Sequence, residues 1–282
     1  MARSQPIALV CSGQVSRSFL ARLPGLRENI GPVKASSIRL ATRLVNSLGF
    51  GYPVASFDDL QHTHVVCLHM APGQLQPVVA EMATAPVSWH GKIILLCDAA
   101  WSSRALTQLA AHGAHTASLA PIEGFEEHRF LVEGDSRAVR LARRLVQGEK
   151  RRVVEVDAGG KDLFLAGLTY ATSLFTPMAA ASVECLKRAG MRPASAALVV
   201  ERLLERSLRG FVKAGRKSWG GPLALRDEEQ VRRELEALFR ASPLLASHYT
   251  ECAFFALQFF RQSTDWLPTL QAGAGAASTS SR

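Results

Sequence analysis

The sequence contains no pair of cysteines spaced C-x-x-C, and its five cysteines are scattered along the chain. This excludes a zinc ribbon, a dithiol redox motif and a small disulfide framework. It points instead to free thiols in a reducing cytoplasm. G-x-S-x-G, H-E-x-x-H and EF-hand signatures are also absent, which excludes the hydrolases and calcium loops that carry them. Long apolar runs are scarce. The opening "MARSQPIALVCSG" has an apolar run of five residues, too short for the core of a signal peptide. The longest uncharged stretch, Leu163 to Val183, is interrupted by Thr, Ser, Tyr and Pro177, and is expected to be a buried helix rather than a membrane span. With 48% hydrophobic and 20% charged residues over 282 positions, the expectation is a well-packed soluble protein of two domains.

The net charge of +9 raises the question of a nucleic-acid partner. Much of it lies in "SRAVRLARRLVQGEKRR" (Ser136–Arg152), where Arg137, Arg140, Arg143 and Arg144 share one side of a helix. No aromatic RNA-binding motif or zinc-finger spacing accompanies them, so a solvated helix face is expected and no nucleic acid.

The first half alternates short apolar runs with helical patterns. Strands are expected at Pro6–Ser12, Gly31–Ser36, His64–Met70, Lys92–Asp98, Ala114–Ala120, Arg129–Gly134 and Arg152–Val156. Runs apolar on both faces, separated by helices, imply a doubly wound parallel sheet. After Val156 the strand signals stop. Helices are expected at Asp157–Gly190, Pro193–Gly215, Arg226–Ala241 and Pro243–Phe260. The fold class is therefore α/β followed by all-α. The expected boundaries are residues 1–157 for a dinucleotide-binding domain, 158–266 for a helical domain, and 267–282 for a disordered tail.

In such sheets the ligand crevice lies at the carboxyl ends of the strands, where strand order reverses. Here those ends carry Ser12, His69, Met70 and Asp98, all expected at a cofactor site. The turn "CSGQVS" keeps only Gly13 of the three glycines of a dinucleotide fingerprint, at the position where backbone approaches the pyrophosphate. Gln14 and Val15 follow it at the expected helix N-terminus, whose N–H groups and dipole suit a phosphate. An NAD site usually has an acid about 20 residues on. "VKASSIRLATR" (Val33–Arg43) has none, offering Ser36, Ser37 and Arg39, with Lys34 and Arg43 nearby, so NADP is favoured over NAD. The alternative for Arg39 and Arg43 is an exposed helix face. Cys11, Cys67 and Cys97 with His69 suggest a metal set, but strand alternation is expected to scatter them over both faces as small buried hydrophobes, with no metal.

The stretches "GQVSRSFLARL" (Gly13–Leu23), "SLAPIEGF" (Ser118–Phe125), "FLVEGD" (Phe130–Asp135), "GGKDLFLAGLTYATS" (Gly159–Ser173) and "GGPLALRDEEQV" (Gly220–Val231) resemble a bacterial family. It combines a Rossmann-like domain with a helical domain of unknown function 2520. Its layout is similar to that of reductases of the 6-phosphogluconate dehydrogenase and pyrroline-5-carboxylate reductase type. The resemblance implies a homodimer built through the helical domain. It also implies that Lys161 opens the interdomain helix facing nicotinamide and substrate, with Thr169 and Ser173 continuing that helix face. Asp227, in "GPLALRD", is the residue kept from a further motif of the family and is expected near substrate. A first-turn position and partial burial would lower the Lys161 pKa toward acid–base use. The plainer alternative is an exposed helix-start lysine. The chain departs from the family where polar residues give way to Leu96, Ala99, Ala120 and Leu165.

Two expectations of different class follow. One is an NADP-dependent oxidoreductase moving hydride to or from a small carbonyl, imine or hydroxyl compound, with Lys161 handling the proton. The other is a non-catalytic Rossmann-like dimer that binds a nucleotide, a metabolite or a protein partner.

Overall fold

The structure is a computed structural model that describes residues 6–12, 26, 29–71, 73–124, 128–146 and 151–272. Eight strands form one sheet in the order β3-β2-β1-β4-β5-β6-β7-β8. They are β1 (Ile7–Cys11), β2 (Ile30–Lys34), β3 (Tyr52–Val54), β4 (Val65–His69), β5 (Ile93–Leu96), β6 (His115–Ile122), β7 (His128–Gly134) and β8 (Arg151–Glu155). Neighbours are parallel except β6 and β7, which pair antiparallel. Strand order reverses between β1 and β4, the point at which this topology is expected to bind a ligand.

Strand alternation decides which residues face which helices. Ile7, Leu9 and Cys11 of β1 join the apolar cluster under helices α1 (Ile38–Leu48) and α4 (Ser136–Val146). Ala8 and Val10 join the cluster under α2 (Leu75–Thr84) and α3 (Thr107–Ala111). Both faces are thus covered, and full burial of side chains such as Leu9, Leu68 and Leu95 contributes roughly 1.5–3 kcal/mol each.

The helices begin and end where local chemistry permits. The Ser37 hydroxyl accepts the Leu40 N–H at 3.2 Å to start α1. Gly49 stops it at φ 77°, its N–H returning to the Val45 carbonyl. Asp135 takes the Arg137 N–H at 2.8 Å to start α4, whose Ala138, Val139, Ala142, Leu145 and Val146 are buried. Arg137, Arg140, Arg143 and Arg144 face solvent; Arg143 pairs with Glu155, and Arg137 meets the His115 ring.

The chain divides into two compact units, Met1–Thr169 and Tyr170–Arg282. The division falls inside α5 (Lys161–Ala171), after the expected boundary at residue 157. The second unit contains α6 (Phe175–Arg188), α7 (Pro193–Ala214), α8 (Pro222–Leu225), α9 (Glu228–Ala241) and α10 (Pro243–Phe259). Its core is Val231, Leu235, Ala253, Leu257, Trp266 and Leu267.

Several expectations are corrected. The single helix expected over Asp157–Gly190 is broken by a turn at residues 172–174. Pro177 has no N–H to offer the Ser173 carbonyl, and its ring crowds that carbonyl. Nor is this stretch buried within the chain. Lys161 is the buried residue of α5, α6 has none, and Leu163 is 80% exposed. By length and composition alone, Lys161–Arg188 would also suit a membrane span. The tail expected from residue 267 begins instead with a helical turn in which Leu267 is fully buried. β3 was not expected at all.

Candidate functional site

The carboxyl edge of the sheet brings together four loops and the start of α5. The loops after β1 and β4 are tied by the Ser12 hydroxyl, which accepts the Ala71 N–H at 2.8 Å. His69, at the end of β4, is half-buried, with its Nδ1 2.9 Å from the Cys97 carbonyl, which fixes that nitrogen as the donor. Met70 is buried. Asp98 folds its own loop, accepting N–H groups from Ala100 at 2.7 Å and Trp101 at 3.0 Å. These four expected residues therefore do lie on adjoining strand ends. Gly13, Gln14 and Val15 lie outside the described residues.

Lys161 occupies a position that neither alternative foresaw. It is 0% exposed. Its ammonium donates to the carbonyl of Asp98 at 2.5 Å, the carbonyl of Trp101 at 2.8 Å and the Ser118 hydroxyl at 3.2 Å. All three ammonium hydrogens are thereby matched. Burial pushes its pKa below the ordinary lysine value, and the nearby charges of Asp98, Glu133, Cys97 and Asp162 pull it back up. The group holds the loop after β5 against the start of α5; it does not project into open space.

Glu133 is the buried partner that sequence reasoning missed. It is 0% exposed on β7, directly across the strand pair from Ser118. Its carboxylate accepts from the Ser103 N–H at 2.6 Å, the Ser103 hydroxyl at 2.7 Å and the Gly159 N–H at 2.7 Å. Charge-assisted bonds of this kind offset the cost of burying a carboxylate. The available signal was an acid inside the apolar run "RFLVEG", in a sheet covered on both faces. Gly159 itself has φ +75°, and a β-carbon there would fall 2.2 Å from Arg104 Nε, so the arginine lies against the bare backbone.

At the end of β2, Ser36, Ser37 and Arg39 are exposed, as is Arg43. Ser37 is already engaged as the α1 cap. Lys34 is turned away from this group. It is buried, bonded to the Ala35 carbonyl at 2.8 Å, and its ammonium stands 4.9 Å from the Phe57 ring centre. Thr169 and Ser173 are exposed, on either side of the division between the units. Asp227 caps α9, accepting the Gln230 N–H at 3.0 Å.

The cysteines contradict the expected scatter. Cys11, Cys67 and Cys97 all join the same apolar cluster, because the register pairs Leu9 with Cys67 and Cys67 with Leu95. All three are free and buried. Burial pushes Cys11 up to about 12, and the Cys97 hydrogen bond together with burial raises Cys67 well above its usual range. Among the described residues, no group of three or more His, Cys, Asp or Glu side chains is placed to hold a metal.

Comparison with known proteins adds a family and a fold. Residues 128–254, from β7 into α10, match the family model of the domain of unknown function DUF2520. No curated protein matches the chain. Among solved structures, a candidate NADP oxidoreductase of Bacteroides fragilis superposes with a TM-score of 0.62 at 12% identity, over 88% of this chain and 96% of that one. Protein TM1727 of Thermotoga maritima gives 0.55 at 18% identity, over 91% and 100%. A variant imine reductase of Myxococcus stipitatus in complex with NAD+ gives 0.54 at 12%, over 98% and 94%. At these identities the likeness is one of fold: the chain has a Rossmann-like sheet followed by a helical region.

Proposed function

We propose that this protein is a nicotinamide-nucleotide-dependent oxidoreductase acting on a small carbonyl, imine or hydroxyl compound, with NADP preferred over NAD. The observation that carries this reading is the reversal of strand order between β1 and β4, together with an exposed, acid-free Ser36–Arg39 segment at the end of β2. Arg39 and Ser36 would hold a 2′-phosphate, while Ser12, His69 and Met70 border the reversal. The nicotinamide, when bound, supplies or accepts the hydride. The likeness to solved reductases supports the reading at the level of fold. Thr169, exposed near the end of α5, would offer its hydroxyl to substrate. We further propose that two copies of the chain associate through the helices, because the second unit leaves Leu198, Leu203, Phe211 and Val212 more than half exposed.

The enclosure of Lys161 favours a positioning role for it, and it is also the one observation that favours the second reading, a binding protein without catalysis. Titration with NADPH and NADH, followed by nicotinamide fluorescence, tests the cofactor site. The expected result is micromolar NADPH binding that weakens about tenfold or more in Arg39→Ala, since one charge-assisted pair is worth roughly 1.5–3 kcal/mol. Absence of binding by either nucleotide overturns the oxidoreductase reading.

A further inference from the structure

A cavity of about 610 Å³ lies wholly within the first unit, beyond the end of β5. Its volume falls in the range of small-molecule pockets, roughly 300–1,000 Å³. Trp101, Ser102 and Arg104 line one side, with Gln76 from the first turn of α2 and Asp162 from the first turn of α5. Trp101 is 44% exposed, unusual for a residue whose backbone is so firmly held: its N–H is bound by Asp98 and its carbonyl by Lys161. Arg104 is exposed and lines the cavity, and among the described residues its guanidinium makes no hydrogen bond or ion pair. Its guanidinium lies against the bare backbone of Gly159, whose N–H is fixed by Glu133. Asp162 receives one bond, from the Ser102 hydroxyl at 3.3 Å, and retains acceptor capacity.

We propose that this cavity binds a small planar carboxylate, with the indole of Trp101 against its flat body, the Arg104 guanidinium on its carboxylate, and Asp162 and Gln76 accepting from a donor group at its far end. Each part follows from ordinary recognition chemistry. A guanidinium pairs bidentately with a carboxylate, and an indole face takes a planar apolar body. The backbone holding both residues is preorganised, so little is spent in ordering them. The pocket does not depend on the nucleotide reading.

The test is a nucleotide-free titration with 4-hydroxybenzoate, using 4-hydroxybenzyl alcohol as its uncharged counterpart, monitored by ligand-observed NMR. The variants are Arg104→Gln and Trp101→Leu, with Arg140→Gln on the solvated face of α4 as control. Saturable benzoate binding is expected, weakened about tenfold or more in Arg104→Gln and unchanged in Arg140→Gln, with the alcohol weaker than the acid by a similar factor. Circular dichroism and the urea midpoint establish that each variant is folded. If Arg104→Gln proves unstable, Trp101→Leu and the acid–alcohol comparison on the unaltered chain decide the matter. Absence of saturable binding by the unaltered chain, equal binding of acid and alcohol, or an Arg104→Gln variant that binds as well as the parent overturns the proposal. Failure of NADPH binding does not.

Discussion

Replacing Lys161 by Met tests whether this buried ammonium is a structural staple. The side chain keeps its length and apolar stem but loses its donors. The carbonyls of Asp98 and Trp101 and the Ser118 hydroxyl then face a methyl group. An acceptor left unmade in the interior costs about 1–3 kcal/mol, and three are affected. Relief from burying an ammonium offsets part of this, so the net loss expected is about 2–4 kcal/mol. With a urea slope on the order of 2 kcal/mol/M, the midpoint falls by roughly 1–2 M. Urea unfolding followed by circular dichroism reads that shift. Limited proteolysis reads its location, with new cleavage expected between Asp98 and Arg104. A loss below about 0.5 kcal/mol with an unchanged cleavage pattern would refute the staple. The pH dependence adds a signed check. Burial lowers the Lys161 pKa in the folded chain, so the unfolded chain binds more protons between that value and the ordinary 10.5. Stability of the parent therefore rises with pH in that window through this group, and the Met variant lacks the rise. The gap between parent and variant should widen as pH rises toward 10.5, Lys92 contributing equally to both chains.

Two further substitutions separate structural from ligand roles. Ser37→Asp keeps an oxygen acceptor at the α1 cap and adds a negative charge, so stability should stay within about 0.5 kcal/mol. NADPH binding should nevertheless fall about tenfold or more while NADH is spared, because the charge opposes a 2′-phosphate. Equal loss of both nucleotides would place the serine elsewhere in the site. Asp227→Ala should cost roughly 1 kcal/mol from the lost α9 cap, and Asp227→Asn should restore it. A turnover defect in a stable Asp227→Asn variant would mean that the carboxylate meets substrate after all.

Much of the fold was legible because burial on both faces leaves a strong pattern. The seven expected strands are present within two residues at their ends, and the caps of α7 and α10 were announced by Pro193 and Pro243. β3 escaped because it has three residues, a central Pro53 and an exposed Tyr52, too short to show a period of two. The break between α5 and α6 was written in Pro177, but the small, uncharged residues around it blurred the signal. The cysteines misled for a different reason. Alternation within a strand is visible in sequence, whereas the register between strands is not, and register put Cys11, Cys67 and Cys97 on one face. At the site, the strand ends could be read from topology. The pairing of Glu133 with Ser103 and Gly159, and of Lys161 with two carbonyls, could not. Backbone acceptors and donors carry no residue-type signature.

The same point changes the weight of the apolar substitutions that set this chain apart from the family pattern. Leu96 is 0% exposed at the end of β5 and Ala120 is 2% exposed within β6, both part of the packed interior, whereas Ala99 is exposed and Leu165 half-buried. Neither Leu96 nor Ala120 lines open space, so their apolar character says nothing about a stripped cleft. The polar groups at this edge are instead Asp98, Ser118, Glu133 and Lys161, and each is engaged with the loop after β5, the start of α5 or both. Buried groups hydrogen-bonded to the backbone in this way fix loop geometry, because displacement leaves a buried donor or acceptor unmade at a cost of about 1–3 kcal/mol. Two ionised side chains thus hold one short segment, Asp98 to Arg104, from its two ends. What that segment presents outward is Trp101 and Arg104. The same bonds that hold the loop set the positions from which Trp101 and Arg104 face the cavity, so the staple and the proposed carboxylate site are tested by the same loop.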